Sequence, residues 1–344
     1  MNGGGATADN PRVAVIGAGS WGTALASVLA SKCPTVTLWC LEQEVADGIN
    51  QTHKNPVYIS DLPLPENIQA ETDLEKVASS HDILVMVIPT QFTRGVLQKI
   101  APLVGPEVIL VSASKGVEVA TLTLISQIYE EVLGPERGLG TCYLSGPSFA
   151  REVILRHPTA VAIAGQNIAR VKQIQALFST PFFRTYSTED VVGVELGGAL
   201  KNVIALAAGI SDGLGLGSSA RAALITRGLS EIIRLGVRLG ACPETFSGLS
   251  GLGDLLLTAT TDLSRNRTVG KRLGKGESLE EIQKGSREVA EGVKTTYSVH
   301  HLAQKLGVEM PITAAVYAIV HEGRTPKSVV TELMERDLKP ENEI

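Results

Sequence analysis

At 344 residues the chain is longer than a single hydrophobic core usually grows, so two domains are expected and a small stapled module is excluded. Its 44% hydrophobic, 19% charged and only 4% aromatic residues are the make-up of an ordinary globular enzyme. A net charge of -5 and the scarcity of rings argue against a basic, base-stacking surface, so nucleic acid is not an expected partner.

Residues 1–10 carry neither a basic region nor an apolar run, and read as a disordered tail rather than a secretory signal. Arg12-Val13-Ala14-Val15-Ile16 is a short β-branched run ending at a glycine, which suits a strand buried on both faces. Small apolar residues from Thr23 to Ala30 let the following helix lie close to the sheet, and Lys32-Cys33-Pro34 ends it. Val36-Thr37-Leu38-Trp39 supplies a second strand, and residues 82–89 and 108–112 supply two more, each followed by a helical segment. Residues 141–145, 159–164 and 182–186 extend the same sheet. This alternation specifies an α/β protein with an amino-terminal Rossmann-type doubly wound sheet.

From Val191 onward the texture changes to long helical stretches, such as residues 221–239 and 296–305, with few β-branched runs. A mostly α-helical second domain follows, the boundary falling at residues 187–190. The expected organisation is a tail over 1–10, a dinucleotide-binding domain over 11–189 and a helical substrate domain over 190–344. No uninterrupted apolar stretch reaches the roughly 18 to 20 residues that span a bilayer, because Lys201 and Asn202 interrupt the Ala-rich run near residues 199–210. No stable membrane insertion is expected. Cys33, Cys40, Cys142 and Cys242 lack the paired spacing of zinc or dithiol sites, so reduced thiols in a cytoplasmic protein, and no metal, are expected.

Gly17-Ala18-Gly19-Ser20-Trp21-Gly22 lies between the first strand and the first helix, where each glycine has its own task. Gly17 permits the tight turn, Gly19 lets backbone approach a pyrophosphate, and Gly22 permits close helix-on-strand packing. The phosphates are then held by amides at the positive end of the helix. The glycine clusters at 213–217 and 248–253 follow no evident strand, and read as loops of close backbone approach rather than as a second nucleotide site. An acid about 20 positions past such a loop often holds the ribose of NAD. Glu42 has that spacing, but the strand ends at Trp39, which puts Cys40 and Leu41 where the acid normally stands. That pattern favours NADP as well as NAD, with Glu42 a solvated residue at a helix start.

Lys201 lies in a run of small apolar residues, where partial desolvation would bring its pKa towards the range useful for acid-base work. The same pattern also suits a lysine snorkelling from an amphipathic helix to solvent. Asp254, followed by Ser264-Arg265-Asn266, puts an acid, a hydroxyl, a guanidinium fork and an amide within a few turns, and arginine suits phosphate because its planar donors bind two oxygens. Arg221 and Arg227 read equally well as solvated or interhelical arginines. Lys115 stands just past the carboxyl end of a strand, the side of such sheets where ligands bind.

Taken together these segments resemble the bacterial-type NAD(P)-dependent glycerol-3-phosphate dehydrogenase family. The segments that carry the resemblance are the nucleotide loop with Thr23-Ala24-Leu25-Ala26, Ser114-Lys115-Gly116, residues 144–150, 198–203 and 221–228, and Ser264-Arg265-Asn266. They run in the family's order over nearly the whole chain. The resemblance implies reversible reduction of dihydroxyacetone phosphate to sn-glycerol 3-phosphate by NADH or NADPH, a route to the glycerol phosphate of phospholipids. It implies Lys201 as proton donor, with Lys115 and Asp254 placing the substrate and orienting Lys201. It further implies Gly146 and Ser148 along the glycerol site and Ser264, Arg265 and Asn266 on the phosphate. Gly17, Gly19, Ser20, Trp21, Gly22, Lys115, Ala150, Arg265, Val289 and Glu291 would face the cofactor. Ser60 stands where proline is common, and Cys40-Leu41 lacks the basic or imidazole side chain often present. A homodimer with a small phosphorylated substrate is expected. The competing readings are a β-hydroxyacid dehydrogenase acting on carboxylates and a non-catalytic NAD(P) sensor.

Overall fold

The computed structural model describes residues 10–284 and 290–341. Among them, strands β1 (Val13–Ile16), β2 (Val36–Trp39), β3 (Ile68–Glu71), β4 (Ile83–Met86), β5 (Ile109–Ser112), β6 (Cys142–Ser145), β7 (Thr159–Ala164) and β8 (Phe183–Thr188) form one sheet. The order β3-β2-β1-β4-β5-β6-β7-β8 contains the doubly wound arrangement in its first six members. All neighbours pair in parallel except β6 and β7, which are antiparallel. Strand β3 has no counterpart in the sequence reading. Its Ile-Gln-Ala-Glu buries only Ile68, because an edge strand needs no continuous apolar run.

Val13 and Val15 belong to one apolar cluster while Ala14 and Ile16 belong to another, so alternate residues of β1 seal opposite faces of the sheet. Helices cover both faces, which is why β1, β4 and β5 are buried throughout, β1 and β4 apolar at every position and β5 at every position but its last, Ser112. In the first half the helices that matter for the site are α1 (Ser20–Leu29), α2 (Gln43–Thr52) and α3 (Ala150–Ile154), and α3 packs against α1.

A third cluster forms the core of the helical half. Its axis is α4 (Val191–Gly213), surrounded by α5 (Gly217–Arg238), α6 (Asp254–Thr260), α7 (Arg265–Gly274), α8 (Glu291–Leu306) and α9 (Pro311–His321). Asp190 caps α4 by accepting from the Gly193 amide at 2.9 Å, which fixes where the long helix begins. By length and composition α4 could cross a bilayer, but 89% of its apolar stretch is buried inside the protein. A helix apolar all round belongs in a core.

Glycines set the closest packing. A Cβ on Gly209 would stand 2.1 Å from the Arg267 carbonyl oxygen, and one on Gly270 would stand 2.1 Å from that of Leu206. Gly213 and Gly274, one turn further along each helix, repeat the arrangement. Helices α4 and α7 therefore meet backbone to backbone. This brings the amino end of α7, at Ser264-Arg265-Asn266, beside Lys201 and Asn202 of α4.

Candidate active site

The loop after β1 sits where the strand order reverses between β1 and β4, the crevice in which such sheets take ligands. Gly17 has φ +116°, and a Cβ there would stand 2.4 Å from the Val87 carbonyl oxygen, so the turn admits only glycine. A Cβ on Gly22 would strike the Gly17 carbonyl oxygen at 1.8 Å. Gly19 has open space within 4 Å of its Cβ direction, which suits a group that must approach the backbone. Helix α1 begins next, with Gly19 as its cap and no side chain on its first amides. Open space and first-turn amides at a helix end fit a dinucleotide pyrophosphate. Asn55, fully buried, braces the loop by donating to the Ala18 carbonyl at 2.8 Å and to Thr23 Oγ1 at 2.9 Å. Ser20 Oγ donates to the Tyr58 carbonyl at 3.3 Å. Trp21 is half-buried against the core on this side of the sheet, as is Ala150 at the start of α3.

Across the crevice, Asp254 holds two lysines. Its carboxylate, 1% exposed, takes Lys115 Nζ at 2.7 Å on one oxygen and Lys201 Nζ on the other. One lysine comes from the loop after β5 and the other from the middle of α4, so this carboxylate joins the two halves of the molecule. Burial pushes the Lys201 ammonium down from 10.5 to about 8; Lys115 pushes the same way, while Asp254 and Glu291 oppose. The snorkelling alternative fails, since the Lys201 side chain is 11% exposed and turned inward to Asp254. Lys115 Nζ also reaches the Gly146 carbonyl at 3.4 Å, which Ser148 Oγ meets at 3.0 Å. Gly146, with φ +147°, lies against β7, where a Cβ would stand 2.9 Å from Val161 Cα.

Small residues let these groups converge. A Cβ on Gly198 would stand 2.5 Å from Ser145 Oγ and 3.4 Å from Lys115 Cδ, and one on Gly197 would stand 2.3 Å from the Ser250 carbonyl oxygen. Residues Leu249–Gly253 form a π-helical turn immediately before Asp254, and Ser250 Oγ donates to the Ser145 carbonyl at 3.4 Å. The second glycine cluster of the sequence is thus the bracket that aims Asp254. The first, at 213–217, ends α4 and starts α5 away from the lysines.

The phosphate candidates occupy the first turn of α7. Ser264 caps that helix by accepting from the Arg267 amide at 3.3 Å. The amides of Arg265 and Asn266 precede the intrahelical ladder, and the Arg265 side chain is exposed beside them. The Asn266 amide is engaged at both ends, donating to Asn202 Oδ1 at 2.9 Å and accepting from the Gly292 amide at 3.0 Å. Its side chain therefore orders the site from behind, which the sequence did not reveal. Glu291, at the start of α8, faces the positive charges of Arg265, Lys201 and Lys115. Val289 lies outside the described residues. Arg221 bonds Asp212 at 2.8 Å between helices, and Arg227 donates to the Glu341 carbonyl at 3.0 Å, away from the lysines. Among the described residues no group of three His, Cys, Asp or Glu side chains is placed to hold a metal ion.

Sequence reasoning missed Asn55, Asn202 and the buried Glu195. Glu195 accepts from the Ser126 amide at 2.8 Å and from Ser126 Oγ at 2.6 Å, and burial pushes its carboxyl up to about 7. With Lys115, Ser112 and Tyr143 it lines a cavity of about 10 Å³ behind the lysines. The signal available for Asn202 was its place directly after Lys201.

The chain is similar to known proteins over nearly its whole length. Residues 12–171 match the model of the NAD-dependent glycerol-3-phosphate dehydrogenase N-terminus, and residues 190–331 match that of the C-terminus. A glycerol-3-phosphate dehydrogenase (NAD(P)+) of Leptospira biflexa is 54% identical over 330 residues, covering 96% of this chain and 99% of the relative. One of Geobacter sulfurreducens is 54% identical, with 96% and 98% covered. The crystal structure of the glycerol-3-phosphate dehydrogenase of Coxiella burnetii superposes with a TM-score of 0.90 at 40% identity, covering 95% of this chain and 99% of that one. A ketopantoate reductase from Ralstonia eutropha, at 13% identity and a TM-score of 0.60 over 94% and 100% of the chains, shares the fold alone.

Proposed function

The chain belongs to the NAD-dependent glycerol-3-phosphate dehydrogenase family, and from that premise we propose how its residues interconvert dihydroxyacetone phosphate and sn-glycerol 3-phosphate. The observation that carries the reading is the Lys115–Asp254–Lys201 array, set beside the amino end of α7 and across from the nucleotide loop. When bound, the nicotinamide supplies the hydride for reduction of the ketone carbon, or accepts it in the reverse direction.

The chain's own work is to bind, orient and move a proton. As negative charge gathers on the carbonyl oxygen, the Lys201 ammonium offsets it and then donates its proton; in the oxidative direction neutral Lys201 takes that proton back. A lysine held near 8 is poised for both. Asp254 holds Lys201 in place, and Lys115 helps to seat the substrate over the Gly146 and Ser148 edge. The phosphate sits at the positive end of α7, on the amides of Arg265 and Asn266 with the Ser264 hydroxyl and the Arg265 fork. Anchoring a part of the substrate that does not react fixes the carbonyl for hydride transfer. Gly17, Gly19, Ser20, Trp21, Gly22 and Ala150 hold the dinucleotide, joined by Lys115, Arg265 and Glu291 from the side of the substrate, while Val289 is assigned to the cofactor by the family resemblance alone.

The same reading divides the chain between residues 189 and 190, places the enzyme in the cytoplasm as a homodimer, and has it supply glycerol phosphate for phospholipids. Initial rates with dihydroxyacetone phosphate against a panel of small oxoacids test the activity. Fast turnover of the phosphorylated ketone alone is expected, and faster turnover of an oxoacid would overturn the assignment. Light scattering in solution decides the dimer.

A further inference from the structure

The dinucleotide reading leaves open which nicotinamide cofactor the site prefers, and the end of β2 bears on that choice. The Gly17 amide donates to the Trp39 carbonyl at 3.2 Å, so the phosphate loop is stitched to the end of that strand. Residues just past Trp39 therefore flank the crevice on its adenosine side. Cys40 is buried, its amide bonded to the Glu71 carbonyl at 2.9 Å, and offers a ligand nothing. Leu41 is 75% exposed and carries no charge.

Glu42 is the first acid reached. It stands at the start of α2, yet its side chain makes no cap there; Oε1 instead accepts from the Tyr58 hydroxyl at 3.1 Å. The Tyr58 carbonyl accepts from Ser20 Oγ, and the Tyr58 amide donates to Asn55 Oδ1 at 3.1 Å. Asn55 is in turn bonded to Ala18 of the phosphate loop. A continuous bracket thus runs from the first residue of α1 to the Glu42 carboxylate. Glu42 is exposed to solvent, and its carboxylate is held by this bond to Tyr58.

The surrounding charge points the same way. Residues 36–76 contain eight acids against two lysines. Lys76 is bonded to Glu71 at 2.5 Å, and Asp61 is paired with Arg151 at 2.6 Å, with a smaller effect from the charge of Lys54. A ribose 2′-hydroxyl can donate to a carboxylate, whereas a 2′-phosphate brings nearly two negative charges to it.

Resting on the dehydrogenase reading above, we propose that Glu42, positioned by Tyr58, makes this enzyme selective for the dinucleotide that lacks a 2′-phosphate. Glu42 accepts from the adenosine ribose and repels the 2′-phosphate, with no cation at Leu41 to offset it.

The test is equilibrium binding of NADH and of NADPH to the cofactor-free protein, read by nicotinamide fluorescence. NADH is expected to bind at least about tenfold more tightly at low salt, and the gap should narrow as salt screens the repulsion. Glu42→Gln should weaken NADH and tighten NADPH. Tyr58→Phe should weaken NADH several-fold and leave NADPH as weak as before, since the carboxylate remains. Leu41→Arg combined with Glu42→Gln should reverse the preference. Equal or tighter NADPH binding by the wild type, or equal loss of both dinucleotides in Glu42→Gln, would overturn the proposal while leaving the dehydrogenase reading intact. If neither dinucleotide binds the wild type, the dinucleotide site itself falls, and this inference with it.

Discussion

Lys201 illustrates how much chemistry one residue can carry when its surroundings are set. Its ammonium titrates at about 8 because burial penalises the charge more than Asp254 rewards it. If Lys201 is the proton donor proposed above, reduction needs its protonated form, so reductive kcat/KM should stay flat below pH 8 and fall about tenfold per pH unit above it. The oxidative direction should show the mirror image. Stopped-flow rates across pH 6 to 10 read both limbs, and a flat profile through 8 would remove Lys201 from the proton transfer. Lys201→Met should abolish turnover with NADH affinity retained, because the pyrophosphate loop lies in the other half of the chain. Asp254→Asn should lower kcat and move the reductive limb below pH 8, since the carboxylate is what holds the lysine charged. A limb that stays in place would mean Asp254 acts only as packing. Arg265→Ala should raise KM for the phosphorylated substrate by roughly tenfold to a hundredfold, the scale of about 1.5 to 3 kcal/mol for a charge-assisted hydrogen bond.

At the scale of elements, the proposed phosphate site is delivered by the contact between α4 and α7. Gly270→Ala would drive a methyl into the Leu206 carbonyl and part the helices, at a cost of about 1 to 3 kcal/mol for overpacking. The Ser264 turn should then shift from Lys201, so KM for the phosphorylated ketone should rise and Tm should fall while NADH binding holds. An unchanged KM would show that the helix contact does not set the phosphate site. Glu231 does comparable work elsewhere: reaching from α5, it accepts from the amides of Ile312 and Thr313 and so caps α9 with a buried carboxylate. Glu231→Ala leaves both amides without that acceptor and should cost about 2 to 6 kcal/mol in urea unfolding, at about 1 to 3 per stranded group.

The molecule as a whole is joined at its centre, since α4 packs on the strands of the first half and forms the core of the second. Calorimetry should therefore show one cooperative transition, and two resolved transitions would mean that the halves unfold independently. NADH at 100 times its Kd should add about 2.7 kcal/mol of stability. Much of this architecture was legible in the chain itself. Strands buried on both faces read as nearly continuous apolar runs, so β1, β4 and β5 announce themselves, and a glycine loop between strand and helix announces the crevice. Lys201, Lys115, Asp254 and the Ser264-Arg265-Asn266 run were legible as chemistry-bearing residues, their grouping through family resemblance. Other features were hidden because their meaning depends on residues far away in sequence. β3 is an edge strand recognisable only by its pairing, the glycines at 209, 213, 270 and 274 matter only as facing pairs, and the bonds of the Asn266 side chain to Asn202 and Gly292 tie together residues far apart in sequence. Sequence by itself determined the fold class and the cofactor class, because local periodicity and turn chemistry suffice for both. Only the tertiary structure decided that one carboxylate holds two lysines 86 positions apart and that Glu42 is fixed by Tyr58, because charge and orientation are set by neighbours the chain order does not show.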